Sequence, residues 1–215
     1  MQRPFTVLLA IIALALSACA GKVDYIRPMA QTSPGANVKI IDKSRNAVWN
    51  ASVPELGKQF FVINNIDKAS GFMNVSYSGD PEKYIDCGRI TSYVKNARGE
   101  RNWDFAGASA QQSYEIMNPG TGLFFIDRKM ALEGRVNLVF EEVSPTQTRV
   151  TANTRYIVNR TRTVRNAANN IPQTLTDSIS FNSGGQADFP GDGNGRNASC
   201  VANGALEREI LGAVR

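Results

Sequence analysis

The sequence predicts an α+β fold in which one curved antiparallel sheet packs against N- and C-terminal helices. Three stretches carry that expectation. Between Thr148 and Val164 the residues Val150, Ala152, Tyr156 and Val158 alternate with Arg149, Thr151, Asn153 and Arg155. That period of two marks a half-buried antiparallel strand. Before it, Ala47, Val48, Ala51, Leu56 and Phe60 recur at helical spacing. After it, the closing "ASCVANGALEREILGAVR" places Cys200, Leu206, Ile210 and Leu211 on one face of a final amphipathic helix. Strands between helices, one face of each apolar, bury their surface most economically as a sheet with helices on one side.

The chain opens "MQRPFTVLLAIIALALSAC". Arg3 is its only charge, and Phe5 to Leu16 form an apolar run of 12 residues. A spanning helix needs about 20. A charged start, a short apolar run and small residues before a cleavage point describe an export signal. "LSAC" resembles the lipobox of bacterial lipoproteins. That resemblance implies cleavage after residue 18 and a lipid on Cys19, which would anchor the chain without a spanning helix because each buried CH₂ contributes about 0.8 kcal/mol. Ala20 follows the cysteine, where Asp would imply retention at the inner membrane, so the expected location is the outer membrane, facing the periplasm. Residues 19–42, with Pro28, Pro34 and Gly35, read as a flexible tether. Residues 43–215 then form a single domain of a size that buries a proper core.

Within that domain Ser44 suits the cap of the first helix, and Pro54 predicts a kink or break near Val53. Phe61–Ile66 and Phe72–Tyr77 read as a hairpin turning at Asp67-Lys68-Ala69-Ser70-Gly71. "GDPEKYIDCG" is a loop carrying Cys87. Residues 95–122 are poor in aliphatic side chains and read as an insertion or mobile loop with Trp103 and Phe105 as pins. Met130 to Val143 is a second long strand, Pro145-Thr146 a turn, and Asp177 to Phe181 a further strand. "NSGGQADFPGDGNGRN" is a Gly-rich loop. Three cysteines in an exported chain leave an odd one. With Cys19 acylated, Cys87 and Cys200 remain as an expected disulfide, closing a loop of more than 100 residues.

The block "NAVWNASVPELGKQFFVINNIDKASGFMNVSYSGDPEKYIDCG" resembles the helix-grip domains of BamC (NlpB-type) lipoproteins of the outer-membrane barrel-assembly machinery. The resemblance is carried by Trp49, Phe60-Phe61 and "DKASGFMNVSY", with the lipobox and the closing helix in agreement. It implies a helix-grip-like fold, an envelope location and an accessory role in assembling outer-membrane proteins. BamC-type proteins are longer, with two such domains and an N-terminal clamp, so the clamp does not carry over to this chain.

The chain has no histidine, which excludes Ser-His and Cys-His nucleophiles and His-based zinc sites. The carboxylates Asp80, Glu82, Asp86, Glu141 and Glu142 sit at loops or strand ends, as solvated acids do. Asp192 and Asn194 echo a calcium loop, but Arg196 and Asn203 fall where oxygen donors are needed. No enzyme, metal or cofactor is expected beyond the covalent lipid. The net charge is +5, and removing residues 1–18 takes away one Arg and no acid, leaving +4. Nucleic acid does not fit the compartment or the aromatic content of the basic strand. The candidate partner-binding residues are Arg149, Arg155, Arg160 and Arg162, facing an acidic envelope protein. The expected function is a non-enzymatic accessory or scaffold role in envelope assembly. The alternatives are a module binding lipid or a small amphiphile, and a lipoprotein subunit of a secretion apparatus.

Overall fold

The structure is a computed structural model, and it describes residues 20–29, 35–59, 61–191 and 197–215. The cleavage segment, Cys19, Phe60 and the calcium-loop echo at Asp192, Asn194 and Arg196 lie outside them. The spine is one hairpin of unusual length, β9 (Gly122–Ser144) and β10 (Gln147–Asn166), joined at Pro145-Thr146 and paired from Thr148↔Glu142 to Asn166↔Phe124. Its inner face is written in the even-numbered residues. Met130, Leu132, Val136, Leu138 and Phe140 on β9 are buried, as are Val150, Ala152, Tyr156 and Val158 on β10. The odd-numbered residues of β10's first half are exposed or only partly covered.

Each edge of the spine is shared by two strands. On β9, β4 (Phe72–Gly79) takes residues 132–139, and β8 (Gln111–Asn118) takes 122–129. On β10, β2 (Val38–Ile41) takes 148–151, and β11 (Pro172–Asn182) takes 155–165. β3 (Val62–Asp67) closes the far edge beside β4. The β3–β4 turn needs Gly71, whose φ is +70°, where a side chain would strike the Phe140 carbonyl.

Two small sheets and two helices cover the inner face. β1 (Ala20–Ile26), β6 (Arg89–Asn96) and β7 (Gly99–Ala106) form one sheet, held to β8 by Ser92 Oγ donating to the Glu115 carbonyl at 2.5 Å and by Phe105 against Tyr114, ring centroids 5.0 Å apart. β5 (Ile85–Asp86), β12 (Gln186–Asp188) and β13 (Ser199–Ala202) form the other. Helix α1 (Arg45–Gly57) sets Trp49 edge-on to Phe140, centroids 5.0 Å apart. Helix α2 (Ala205–Ala213) lays Leu206 over Gly134, where any side chain would collide with it. Lys39 Nζ donates to the carbonyls of Leu211 and Val214 at 2.9 and 2.7 Å, satisfying groups that a helix end leaves orphaned.

The α+β expectation is therefore overturned. About 61% of the described residues are strand and 14% helix, in several antiparallel sheets, so the helix-grip-like arrangement with N- and C-terminal helices does not hold. Two segments account for the error. Residues 95–122, expected as a loop, lie in β6, β7, β8, the first residue of β9 and the turns between them. Their polar residues belong to sheet faces that meet water, so few aliphatic residues are needed. The expected tether also contains β1 and β2, and each is paired along its whole length.

Smaller corrections follow from local chemistry. Ser44 does cap α1, accepting from the Ala47 amide. The helix runs on through Pro54, and Asn50, whose carbonyl loses a bond there, is exposed. Its buried face is Val48, Trp49, Ser52 and Leu56, whereas Ala47 and Ala51 are exposed. Cys200 belongs to β13 and not to the last helix, because Gly204, at φ +73°, separates the two.

Candidate functional site

The even-numbered face of the spine changes character at its β8 end. Arg128 stands directly opposite Arg162 in the β9–β10 register, and Arg160 lies one step along the same face. Extending the parity of Val150 and Val158 puts Arg160 and Arg162 inward, while Arg149 and Arg155 stay on the outer face. There Arg155 donates to Ser180 Oγ at 3.0 Å. The structure thus splits the four arginines expected as one partner surface into two opposite faces. It adds Arg128, which shares the parity of Met130 and Leu132 and could have been found by it.

Arg128 and Arg160 are 3% and 5% exposed, and the Arg162 side chain 15%. They line a cleft of about 100 Å³ between the spine and the β1–β6–β7 sheet, closed by Val23, Tyr25, Ile90, Tyr114, Pro190 and Ala198. Tyr25 is fixed by Ser199, whose amide donates to its hydroxyl at 2.8 Å, and by the carbonyls of Ser199 and Cys87. The disulfide Cys87–Cys200 holds that wall, joining residues 113 apart in sequence.

Among the described residues one carboxylate, Asp177, pairs with two of the three guanidiniums. Asp177 Oδ2 accepts from Arg160 Nη2 at 2.8 Å and from Arg162 Nη2 at 3.1 Å. Arg160 also donates to the Pro190 carbonyl at 3.2 Å and lies over the Phe189 ring at 4.2 Å. Arg128 donates through Nη2 to the Gly107 carbonyl. Arg128 Nη1 and Arg162 Nε are sealed from water and have no hydrogen-bond partner among the described residues. Burial, partly offset by Tyr114 and reinforced by the charges of Arg160 and Arg162, pulls Arg128 down to about 10, which leaves it cationic at neutral pH. Among the described residues the cleft therefore holds three guanidiniums against one paired carboxylate, an excess of two positive charges.

Thr154 Oγ1 and Arg101 Nε are also buried without a hydrogen-bond partner among the described residues but do not line the cleft, and two other polar places are satisfied. Glu207, equally buried, accepts from Tyr156 Oη and Ser183 Oγ, each at 2.6 Å. A surface depression of about 330 Å³ against the β1–β6–β7 sheet has its ions paired, as in Lys22–Asp24 at 2.7 Å and Asp104–Arg89 at 2.6 Å.

Burial pushes the Asp177 carboxyl up, but Arg160 and Arg162 outweigh it and hold it below the ordinary carboxylate range. A depressed folded pKa stabilises the fold fully above the unfolded value, about 4, and that stability is lost as pH falls through the folded value. Acidifying from about pH 5 to about pH 2 is expected to shift the denaturant midpoint of the wild type more than that of Asp177→Asn. Equal shifts would remove Asp177 from the charge balance of the cleft.

No protein-family model, curated protein or solved structure matches the chain. The likeness to BamC-type lipoproteins thus rests on the quoted residues alone. No helix among the described residues is long and apolar enough to cross a membrane.

Proposed function

We propose that this is a periplasm-facing outer-membrane lipoprotein, anchored through Cys19, with a non-enzymatic accessory role in envelope assembly. In this reading the working site is the arginine cleft, where an anionic group of an envelope partner is held. The observation that carries it is the excess of positive charge that Arg128, Arg160 and Arg162 leave over Asp177 among the described residues, which costs folding energy wherever no anion is bound. The lipobox supports the anchor, and a disulfide between Cys87 and Cys200 suits an oxidising compartment. The outer-face residues Arg149 and Arg155 add positive charge that would steer an acidic partner to the molecule.

The reading in which the protein binds a small amphiphile shares the same cleft. Val23, Ile90 and Tyr114 give apolar surface beside the guanidiniums. A volume of about 100 Å³ accommodates a headgroup, since ligand pockets for whole small molecules run to about 300 Å³ or more.

Palmitate labelling and in-cell cross-linking test the proposal together. The wild type is expected to take up label and to cross-link an envelope protein, Cys19→Ala to lose the label, and Arg162→Glu to lose the cross-link. A labelled Cys19→Ala protein would refute the anchor, and recovery of the monomer alone from the wild type would refute the accessory role.

A further inference from the structure

We infer that the arginine cleft is a binding site for a tetrahedral oxyanion dianion, the terminal phosphate of a phosphate monoester. This deepens the proposed function and rests on it only for the cleft being the working site.

Charge, donors and size select the ligand. Two buried guanidiniums and the partly buried one of Arg162, set against Asp177, leave two positive charges among the described residues. A carboxylate or a phosphodiester would neutralise one of them, whereas a phosphate monoester neutralises both. Arg160 is held through Nε and Nη2 by Asp177 and the Pro190 carbonyl and lies over Phe189, so it braces the site. Arg128 and Arg162, directly paired on β9 and β10, line the cleft, and Arg128 Nη1 and Arg162 Nε, closed to water in the free protein, become available to an anion as the side chains shift. Guanidiniums bind tetrahedral oxyanions through several directed, charge-assisted hydrogen bonds. At about 100 Å³ the cleft is well below the roughly 300 Å³ or more of pockets that enclose whole small molecules. That suits one phosphate group and excludes the rest of a larger molecule, which must lie outside the cleft. The ester oxygen therefore points outward, and a diester with two substituents fits less well.

The same chemistry has two sources, free phosphate and the headgroup of a phosphate-monoester lipid. Calorimetric titration of the disulfide-intact full chain with inorganic phosphate, at low ionic strength, is expected to show one site. Acetate, a monoanion, is expected to bind about tenfold weaker or worse. Arg128→Met and Arg162→Met are each expected to weaken phosphate about tenfold or more, and Arg149→Met, on the opposite face, to leave it unchanged. Flotation with vesicles of phosphatidic acid in phosphatidylcholine, against phosphatidylglycerol in phosphatidylcholine, separates the sources. Binding that prefers phosphatidic acid and needs Arg128 points to the lipid headgroup, and phosphate binding without vesicle binding points to the free anion. Either supports the inference. Acetate binding as tightly as phosphate, an Arg149→Met loss matching that of Arg128→Met, or no phosphate heat in the wild type would overturn it. The wild-type comparison of phosphate with acetate decides the point even if a variant misfolds. An envelope cross-link that persists without phosphate binding would retire the ligand class and leave the accessory role standing.

Discussion

Replacing both disulfide cysteines, as Cys87→Ala with Cys200→Ala, is expected to lower the unfolding free energy by about 4–5 kcal/mol. The bridge links residues 113 apart, so its loss releases a long loop into the unfolded ensemble, where the entropy gain grows with the logarithm of loop length. Both cysteines are buried. Cys200 sits in β13 between β12 and β5, and the adjoining Ser199 fixes Tyr25 at the cleft wall. The same variant should therefore loosen the cleft, and phosphate affinity is expected to fall with stability. Urea unfolding, followed by far-UV circular dichroism, measures the first effect. A loss below about 1 kcal/mol would mean that the three sheets hold this wall without the bridge.

The second large effect has the opposite sign. Arg128→Met is expected to raise stability by about 1–4 kcal/mol in phosphate-free buffer, because an apolar side chain of similar length replaces a buried charge that has no carboxylate of its own. The substitution gives up the bond to the Gly107 carbonyl, a contribution of about 1 kcal/mol that the removed desolvation cost exceeds. A residue that destabilises the free protein and is kept fully buried is what a binding site requires and what a core does not. A loss of about 3 kcal/mol instead would identify Arg128 as a paired structural cation.

How far the fold was legible follows from how each segment buries its residues. The spine was legible because Val150, Ala152, Tyr156 and Val158 meet the core while Arg149 and Arg155 meet water, and that contrast survives in one dimension. The β3–β4 hairpin was legible from "DKASG", where Asp67 accepts from the amides of Ala69 and Ser70. The strands of residues 89–118 were not, although β6–β7 and β8–β9 are local hairpins, because their half-exposed faces carry few aliphatic residues and leave little apolar alternation. The pairing of β6 with β1, as at Tyr25↔Ile90, is distant in sequence as well. The fold class failed for that reason, together with the hidden strands at Ala20–Ile26 and Val38–Ile41.

The site was half legible. Arg160 and Arg162 stood out as basic residues, yet grouping them with Arg149 and Arg155 by charge ignored their parity. The alternation continues past Val158, and it assigns Arg160 and Arg162 to the inner face. Arg128 was missed because the second long strand was expected to begin at Met130, whereas it begins at Gly122 and carries Arg128 on the face of Met130 and Leu132. The charge excess became visible only when register placed Arg128 opposite Arg162, with Asp177 as the carboxylate between the latter and Arg160.

The most direct test of the account is the thermal unfolding of the wild type and Arg128→Met across a phosphate series at constant ionic strength. The account predicts that the wild-type Tm climbs with phosphate, while the variant starts higher and stays flat. A variant that starts lower, or one that climbs in parallel with the wild type, would contradict it, because Arg128 would then be structural or the phosphate would be acting elsewhere.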